Sequence, residues 1–372
     1  MTAGIEEVKV LESGLKLFLR GGKCLQFEDC WLRDHCRCTS CYHESTFQRA
    51  QHILDIPESK IVSASSKESN LYVKWEDGHQ SVYDIKFLSQ FDYDEWNERR
   101  TLKPVLWNGP EVVQKLTKIP VEKFLGSVDG ARIVFQNLLD YGVALIDGVE
   151  PTTSATQVVC EALGGIQHTL FGGMWEFTTR ADHADTAYTN IPLAVHNDNT
   201  YFTEAAGLQI LHCLEHSNGI GGETILVDGF YGALKMKEAS PEDYDFLTKF
   251  HVEAEYIEEG HHQKYCAPVI RVNSDTNKLE QIRFNVYDRA PMAFADSKQC
   301  RSYYRSLRNL ARYYQDPANQ WKFKLIPGTV MAMDNFRVLH GRTGFSGHRV
   351  LSGCYVSRSD WLDKARTLRL IE

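Results

Sequence analysis

The chain has 372 residues, 43% hydrophobic and 24% charged, which is enough apolar mass for a large domain with a small one, or for two domains. That balance excludes wholesale disorder, and no uninterrupted apolar run approaches the roughly 20 residues that span a bilayer. A net charge of −8 argues against an electrostatic nucleic-acid binder.

In chain order, residues 1–105 read as a small β-rich unit. Leu15–Leu19 alternates apolar and polar residues, and Leu71–Trp75 and Ser81–Ile85 flank the turn Glu76-Asp77-Gly78-His79, a hairpin signal. Ser63–Ser69 is polar and reads as loop. The stretch Thr101–Pro120, with Pro104, Pro110 and Pro120, reads as the linker.

Residues 106–372 open on a helix over Asp129–Asp140, with Ile133, Val134 and Leu138 on one face and Gly142 as its stop. Val143–Ile146 follows as a strand, and Ser154-x-x-Gln157 reads as a capping box for a second helix that Gly164-Gly165 ends. Strand patterns then dominate: Leu208–Leu214, Thr224–Val227, Val269–Val272, Gln281–Asn285, Trp321–Leu325, Val330–Met333 and Val350–Val356. One further helix is predicted over Lys298–Tyr314. Many short strands with glycine-rich turns and few helices predict a mainly β (α+β) fold, a double-sheet core decorated with helices. No glycine-rich phosphate loop interrupts the pattern.

Ten cysteines are too sparse for a disulfide scaffold of this length and suit a reducing compartment. Three of them, Cys36, Cys38 and Cys41, stand too close to pair comfortably with one another, yet all can reach one tetrahedral zinc. His35, His43, His52 and His79 are candidates for the fourth ligand. His79 is favoured, because a turn lets its imidazole project without disturbing strand pairing. Four protein ligands would make that zinc structural.

The second constellation is His196-Asn197-Asp198. An extended segment turns residues i and i+2 to the same side, so this His and Asp can bind one cation. A second His would complete the two-His-one-carboxylate face used by non-haem Fe(II) oxygenases. The spacing alone is common, and His183-Ala184-Asp185 repeats it. What favours His196 is its context. His340 ends a strand before Gly341, and Arg349 opens the next one. A guanidinium fork there suits the distal carboxylate of 2-oxoglutarate.

Trp31-Leu32-Arg33-Asp34 with the cysteine cluster resembles the N-terminal zinc domain of the γ-butyrobetaine hydroxylase and trimethyllysine dioxygenase family. His196–Phe202, Gly221–Thr224 with Val227–Phe230, and Asp334–Arg342 resemble that family's double-stranded β-helix (jelly-roll) core, and the likeness runs from about Leu15 to Leu368. It implies an N-terminal zinc-binding domain over 1–105 and an oxygenase domain over 106–372. It also implies His196, Asp198 and His340 on iron, Arg349 and Thr224 on 2-oxoglutarate, and Cys36, Cys38, Cys41 and His79 on zinc. Ascorbate would keep iron reduced. Homodimerisation and a mitochondrial matrix location are implied too, although the N-terminal residues carry no recognisable targeting signal, which would leave the chain cytoplasmic.

Phe284-Asn285-x-Tyr287-Asp288-Arg289-Ala290, Val227–Tyr231 and Gly353-Cys354-Tyr355 look like the trimethyllysine branch. By resemblance, Phe171, Trp175, Tyr188 and Tyr355 form an aromatic cage for a trimethylammonium group, which offers no N–H and is held by cation–π attraction. Phe171 stands where the family commonly has tyrosine. Asp185 stands where the γ-butyrobetaine branch has asparagine, so it can meet an α-ammonium and repel a bare carboxylate. Asn285 would hold the amino-acid carboxylate. The expected substrate is thus a small quaternary ammonium amino acid, N6,N6,N6-trimethyllysine, hydroxylated at C3 with succinate and CO2 released, the first step of carnitine biosynthesis. The alternative is γ-butyrobetaine hydroxylation to carnitine.

Overall fold

The computed structural model describes residues 4–178, 189–217 and 219–372. Its contacts divide the chain into two compact units, 1–100 and 101–372. Among the described residues no helix is long and apolar enough to cross a membrane.

The first unit holds two three-stranded antiparallel sheets. One runs Ile5–Leu11, Gly14–Leu19 and Cys24–Glu28, the other Ile61–Lys67, Asn70–Trp75 and Gln80–Asp84. Alternation sends Leu15, Leu17, Leu71, Val73 and Tyr83 into a shared core. Ser63–Ser69, read above as loop, is mostly strand. Ile61–Lys67 pairs with Asn70–Trp75 as an edge strand whose serines face outward. Its order comes from backbone pairing, which composition does not register.

The second unit is a double-stranded β-helix. Its larger sheet has the order Trp175–Phe177, His348–Val356, Leu208–Ser217, Thr329–Asp334, Val143–Asp147 and Ile119–Pro120. The smaller has the order Leu193–His196, Val338–Arg342, Thr224–Asp228 and Trp321–Phe323. Leu211, Met331, Met333 and Leu351 of one sheet share a core with Leu226, Val338 and Trp321 of the other. The helices Val128–Tyr141, Thr153–Leu163 and Arg358–Thr367 contribute to a second core with the larger sheet. Gly229–Ala239, Pro241–Lys249 and Ser297–Gln315 contribute to a third with the smaller.

Several boundaries differ from the sequence reading, each for a local reason. Thr101–Pro120 is no linker: it carries the helix Gly109–Lys115 and the fully buried Trp107, and it belongs to the second unit. Pro110 sits in that helix's first turn, where a missing N–H costs nothing. The helix Thr153–Leu163 is capped by Thr152, whose hydroxyl accepts the Ala155 N–H, and not by Ser154. The strand expected over Gln281–Asn285 spans Leu279–Ile282 instead, which leaves Phe284 and Asn285 outside it.

Arg337 and Asp228 form a buried bidentate pair, Nε to Oδ1 at 3.0 Å and a terminal nitrogen to Oδ2 at 2.8 Å. Arg337 also donates to the carbonyls of Asp140 and Val105, while Asp228 accepts the Trp107 and Phe230 amides. Removing either charge would strand the other in the interior, at a cost of roughly 3–5 kcal/mol.

His212 is a second buried polar group. The Thr156 hydroxyl gives its proton to the Thr152 carbonyl, so it accepts from His212 Nδ1, and His212 Nε2 has no partner among the described residues. Burial pushes this imidazole down to about 4. Between that value and the ordinary 6.5, the unfolded chain binds the proton and the folded one does not, so stability falls as pH falls through this window. Chemical denaturation should show His212→Gln losing less stability than wild type between pH 6.5 and pH 4, by about 3 kcal/mol.

Candidate active site

His196 and His340 stand directly opposite each other on paired strands, and Leu226 flanks His340 on its other side. Register alone therefore joins residues far apart in sequence. Gly341 permits the close approach, since a Cβ there would meet the Leu193 carbonyl at 2.6 Å. His196 Nδ1 lies 2.8 Å from the Ala194 carbonyl, which accepts an Nδ1–H and so favours the tautomer with a free lone pair on Nε2.

Asp198 completes the group. Its Oδ1 lies 3.3 Å from His196 Nε2 and 3.6 Å from His340 Nε2, and one ligand atom from each residue falls within 4.8 Å of the others. Asn197, between them, donates to the Asn335 and Val338 carbonyls, and Asn335 in turn bonds the Asp198 backbone at both N–H and carbonyl. The Asp334-Asn335 turn thus holds the His-x-Asp segment in place. Burial opposes ionisation of Asp198, but the charges of His340 and His196 hold its carboxyl down to about 2. Burial drives His340 down to about 4. A buried two-His-one-Asp set on one side of a cavity is the donor set of a non-haem iron site.

The outer oxygen of Asp198 carries a contact that sequence reasoning missed. Oδ2 accepts from Gln209 Nε2 at 2.5 Å and from the Tyr355 hydroxyl at 2.8 Å. Gln209 lies within a strand read only as core, and nothing in its sequence context marks it. Tyr355, expected as cage, also orients this carboxylate.

His196, Asp198, His340, Arg349, Thr224, Phe171, Trp175, Asn285 and Tyr355 all line one cavity of about 120 Å³. Arg349 is 6% exposed, its Nε has no partner, and no described carboxylate pairs with it. Burial lowers its affinity for its proton. A buried guanidinium without a described carboxylate partner, in a cavity that Thr224 also lines, fits the carboxylate of a bound 2-oxo acid. The Trp175 ring packs edge-on to Tyr355 with centroids 5.6 Å apart, and Phe171 meets Tyr256 likewise at 5.5 Å. Trp175 rests against Gly353, where a Cβ would meet its ring at 2.5 Å and the Ile210 carbonyl at 2.0 Å. The Asn285 side-chain amide already donates to the Asn197 carbonyl and to Asp288, and Asp288 itself lines the cavity. Asp185, Tyr188 and the His183 copy of the motif lie outside the described residues.

In the first unit, His79 Nε2 lies 3.3, 3.7 and 3.8 Å from the sulfurs of Cys36, Cys38 and Cys41. A tetrahedral zinc with ordinary bond lengths sets sulfur and nitrogen about 3.6 Å apart. Arg33 of the Trp31–Asp34 segment donates to Cys41 and to Asp77, and Asp77 takes the His79 amide, tying cluster and turn together. Burial and the neighbouring thiols push Cys41 up to about 11, so a bound cation is what would let three thiolates coexist. His35 stacks on Trp31, its Nδ1 on the Trp31 carbonyl and its Nε2 3.0 Å from the Arg49 guanidinium, and it stands outside the cluster.

Residues 107–355 match the family described as taurine catabolism dioxygenase TauD, TfdA, and residues 7–89 match the γ-butyrobetaine hydroxylase-like N-terminal family. Mitochondrial trimethyllysine dioxygenases from Bos taurus and Homo sapiens are each 38% identical, covering 93% of this chain and 83% of theirs. A γ-butyrobetaine dioxygenase from a Pseudomonas species is 29% identical, covering 96% and 94%. A crystal structure from Burkholderia xenovorans, described as a candidate alpha-ketoglutarate-dependent taurine dioxygenase, shares the fold. Its TM-score is 0.50 at 14% identity, covering 69% of this chain and 92% of that one.

Partners of a ligating carboxylate typically alter metal affinity 10–100-fold. Tyr355→Phe keeps the ring and deletes the hydroxyl on Asp198. Iron affinity measured by anaerobic titration should fall by about that factor, and an unchanged affinity would remove Tyr355 from this role.

Proposed function

The chain belongs to the TauD, TfdA dioxygenase family, and on that premise we propose that it hydroxylates N6,N6,N6-trimethyllysine at C3 in an Fe(II)- and 2-oxoglutarate-dependent reaction. The observation that carries the reading is the cavity lined together by the two-His-one-Asp group, a buried guanidinium with no carboxylate partner among the described residues, and aromatic walls.

Bound iron with 2-oxoglutarate and O2 supplies the oxidising power that inserts oxygen into a C–H bond as the co-substrate becomes succinate and CO2. The chain's own part is binding and orientation. His196, Asp198 and His340 hold the metal, with Asp198 kept ionised by the two imidazoles and turned by Gln209 and Tyr355. Arg349, with Thr224 in the wall of the same cavity, neutralises the distal carboxylate of 2-oxoglutarate. Phe171, Trp175 and Tyr355, joined by Tyr188, face the trimethylammonium group, each good ring contact contributing roughly 0.5–2 kcal/mol. These residues exclude water around a cation that forms no directed hydrogen bond.

Substrate choice rests on charge. Asp185 is proposed to meet the α-ammonium, and Asp288 is a carboxylate of the described cavity wall. An acid at the α-ammonium suits a substrate with an ammonium beside its carboxylate and disfavours γ-butyrobetaine, which has only a carboxylate at that end. Asn285 remains the partner proposed for the substrate carboxylate, in competition with its bond to Asp288. The mitochondrial naming of the vertebrate relatives supports a mitochondrial location, with the matrix as the proposed compartment.

The test is succinate release and product mass with Fe(II), 2-oxoglutarate and ascorbate, offering trimethyllysine and γ-butyrobetaine in parallel. One added oxygen on trimethyllysine alone is expected. Asp198→Ala should abolish turnover, and Asp185→Asn should weaken trimethyllysine use. Preferential oxidation of γ-butyrobetaine would overturn the substrate reading and leave the chemistry intact.

The Cys36, Cys38, Cys41 and His79 group is proposed as a closed structural zinc site in an N-terminal domain, separate from the oxygenase domain. Elemental analysis should find zinc retained in Asp198→Ala and lost in His79→Ala, together with a lower melting temperature of the N-terminal unit. Equal zinc content in both variants would reject the assignment.

A further inference from the structure

A second cavity of about 380 Å³ lies in the oxygenase unit and shares no lining residue with the first. Three arginines from three elements reach its wall. Arg271 comes from the strand Ile270–Val272, Arg283 from just beyond Leu279–Ile282, and Arg358 from the start of the helix Arg358–Thr367. Arg283 is 7% exposed. It donates to the carbonyls of Ala267, Pro268 and Thr200, but no described carboxylate pairs with it. Arg271 donates to the Gln281 amide oxygen and likewise has no acidic partner among the described residues. Only Arg358 has one, Asp334 at 3.1 Å. Glu204 stands at the exposed rim.

Burying a guanidinium beside another without an anion is costly. Burial, with the Arg271 charge added, holds Arg283 down to about 10. The helix beginning at Arg358 adds to the positive wall. Ser357 caps it by accepting the Asp360 amide, and Ser357, Arg358 and Ser359 all line the cavity, so the helix's positive end stands at the wall.

We propose that this cavity binds a small oxyanion with two or more negative charges, a polycarboxylate or a phosphate, at a site distinct from the 2-oxoglutarate clamp. Guanidinium forks and helix amides recognise both chemistries through the same oxygen geometry. The site is coupled to the iron-side segment through hydrogen bonds. Arg283 donates to the Thr200 carbonyl, two residues beyond Asp198, and the amide of its neighbour Phe284 donates to the Asn197 side-chain oxygen while the Phe284 carbonyl accepts the Asn197 amide. An anion on Arg283 would therefore steady the stretch that carries Asp198.

The test uses the intact holoenzyme under anaerobic conditions with saturating 2-oxoglutarate, so that Arg349 is engaged. Tricarballylate and inorganic phosphate are titrated by calorimetry against chloride at equal ionic strength. Saturable binding of at least one is expected, tenfold or more weaker in Arg271→Gln and abolished in Arg271→Glu. Backbone hydrogen exchange around Thr200 should slow on binding. Tricarballylate alone would mark a carboxylate site and phosphate alone a phosphate site. Absence of saturation with both probes, or binding undiminished in Arg271→Glu, would overturn the proposal. Should the variants fail to fold, the wild-type titration with its exchange readout decides by itself.

Discussion

The pairing of Arg337 with Asp228 is the contact on which the oxygenase unit converges. One guanidinium reaches a carboxylate on the strand Thr224–Asp228, the Asp140 carbonyl at the end of the helix Val128–Tyr141, and the entering chain at Val105. Asp228 returns the connection by taking the Trp107 amide and capping the helix Gly229–Ala239. Arg337 also stands three residues before His340 and two after Asn335. The bond network that closes the fold is therefore continuous with the one that fixes the His-x-Asp segment. A displaced Arg337 would loosen packing and site geometry together.

The site itself follows from sheet register. His196 and His340 come together because their strands pair them directly, and a slip of one position would turn one imidazole to the face opposite the other. The larger sheet supplies the opposite side: Gln209, Trp175, Arg349 and Tyr355 come from adjacent strands of it. Charge is then arranged around a buried carboxylate whose two oxygens have separate tasks, one toward the imidazoles and one toward Gln209 and Tyr355.

Much of this was legible in sequence where chemistry and period coincide. The strands Leu208–Ser217, Thr224–Asp228, Thr329–Asp334 and His348–Val356 announce themselves as apolar runs, and Ser297–Gln315 as a helical stripe. The His196, Asp198 and His340 set was readable because those residue types are scarce and their order is informative. Features created by backbone were not readable. Ile61–Lys67 is held by ladder bonds beneath a polar surface, and the paired helices Gly229–Ala239 and Pro241–Lys249 went unmarked amid mixed composition. Gln209 and Arg283 gain their meaning only from what folding sets beside them.

Gly353 gives the aromatic wall an unusual kind of boundary. The Trp175 indole rests on a bare Cα, with the Ile210 carbonyl closing the other approach. No rotamer of any side chain at 353 can yield to a bulkier guest, so the width of the chamber here is quantised by the main chain. Adaptation to a wider or narrower headgroup through this wall cannot proceed by gradual enlargement of a residue. It would have to come from exchange of the aromatic rings themselves, so the breadth of the guest and the strength of its ring contacts would change together.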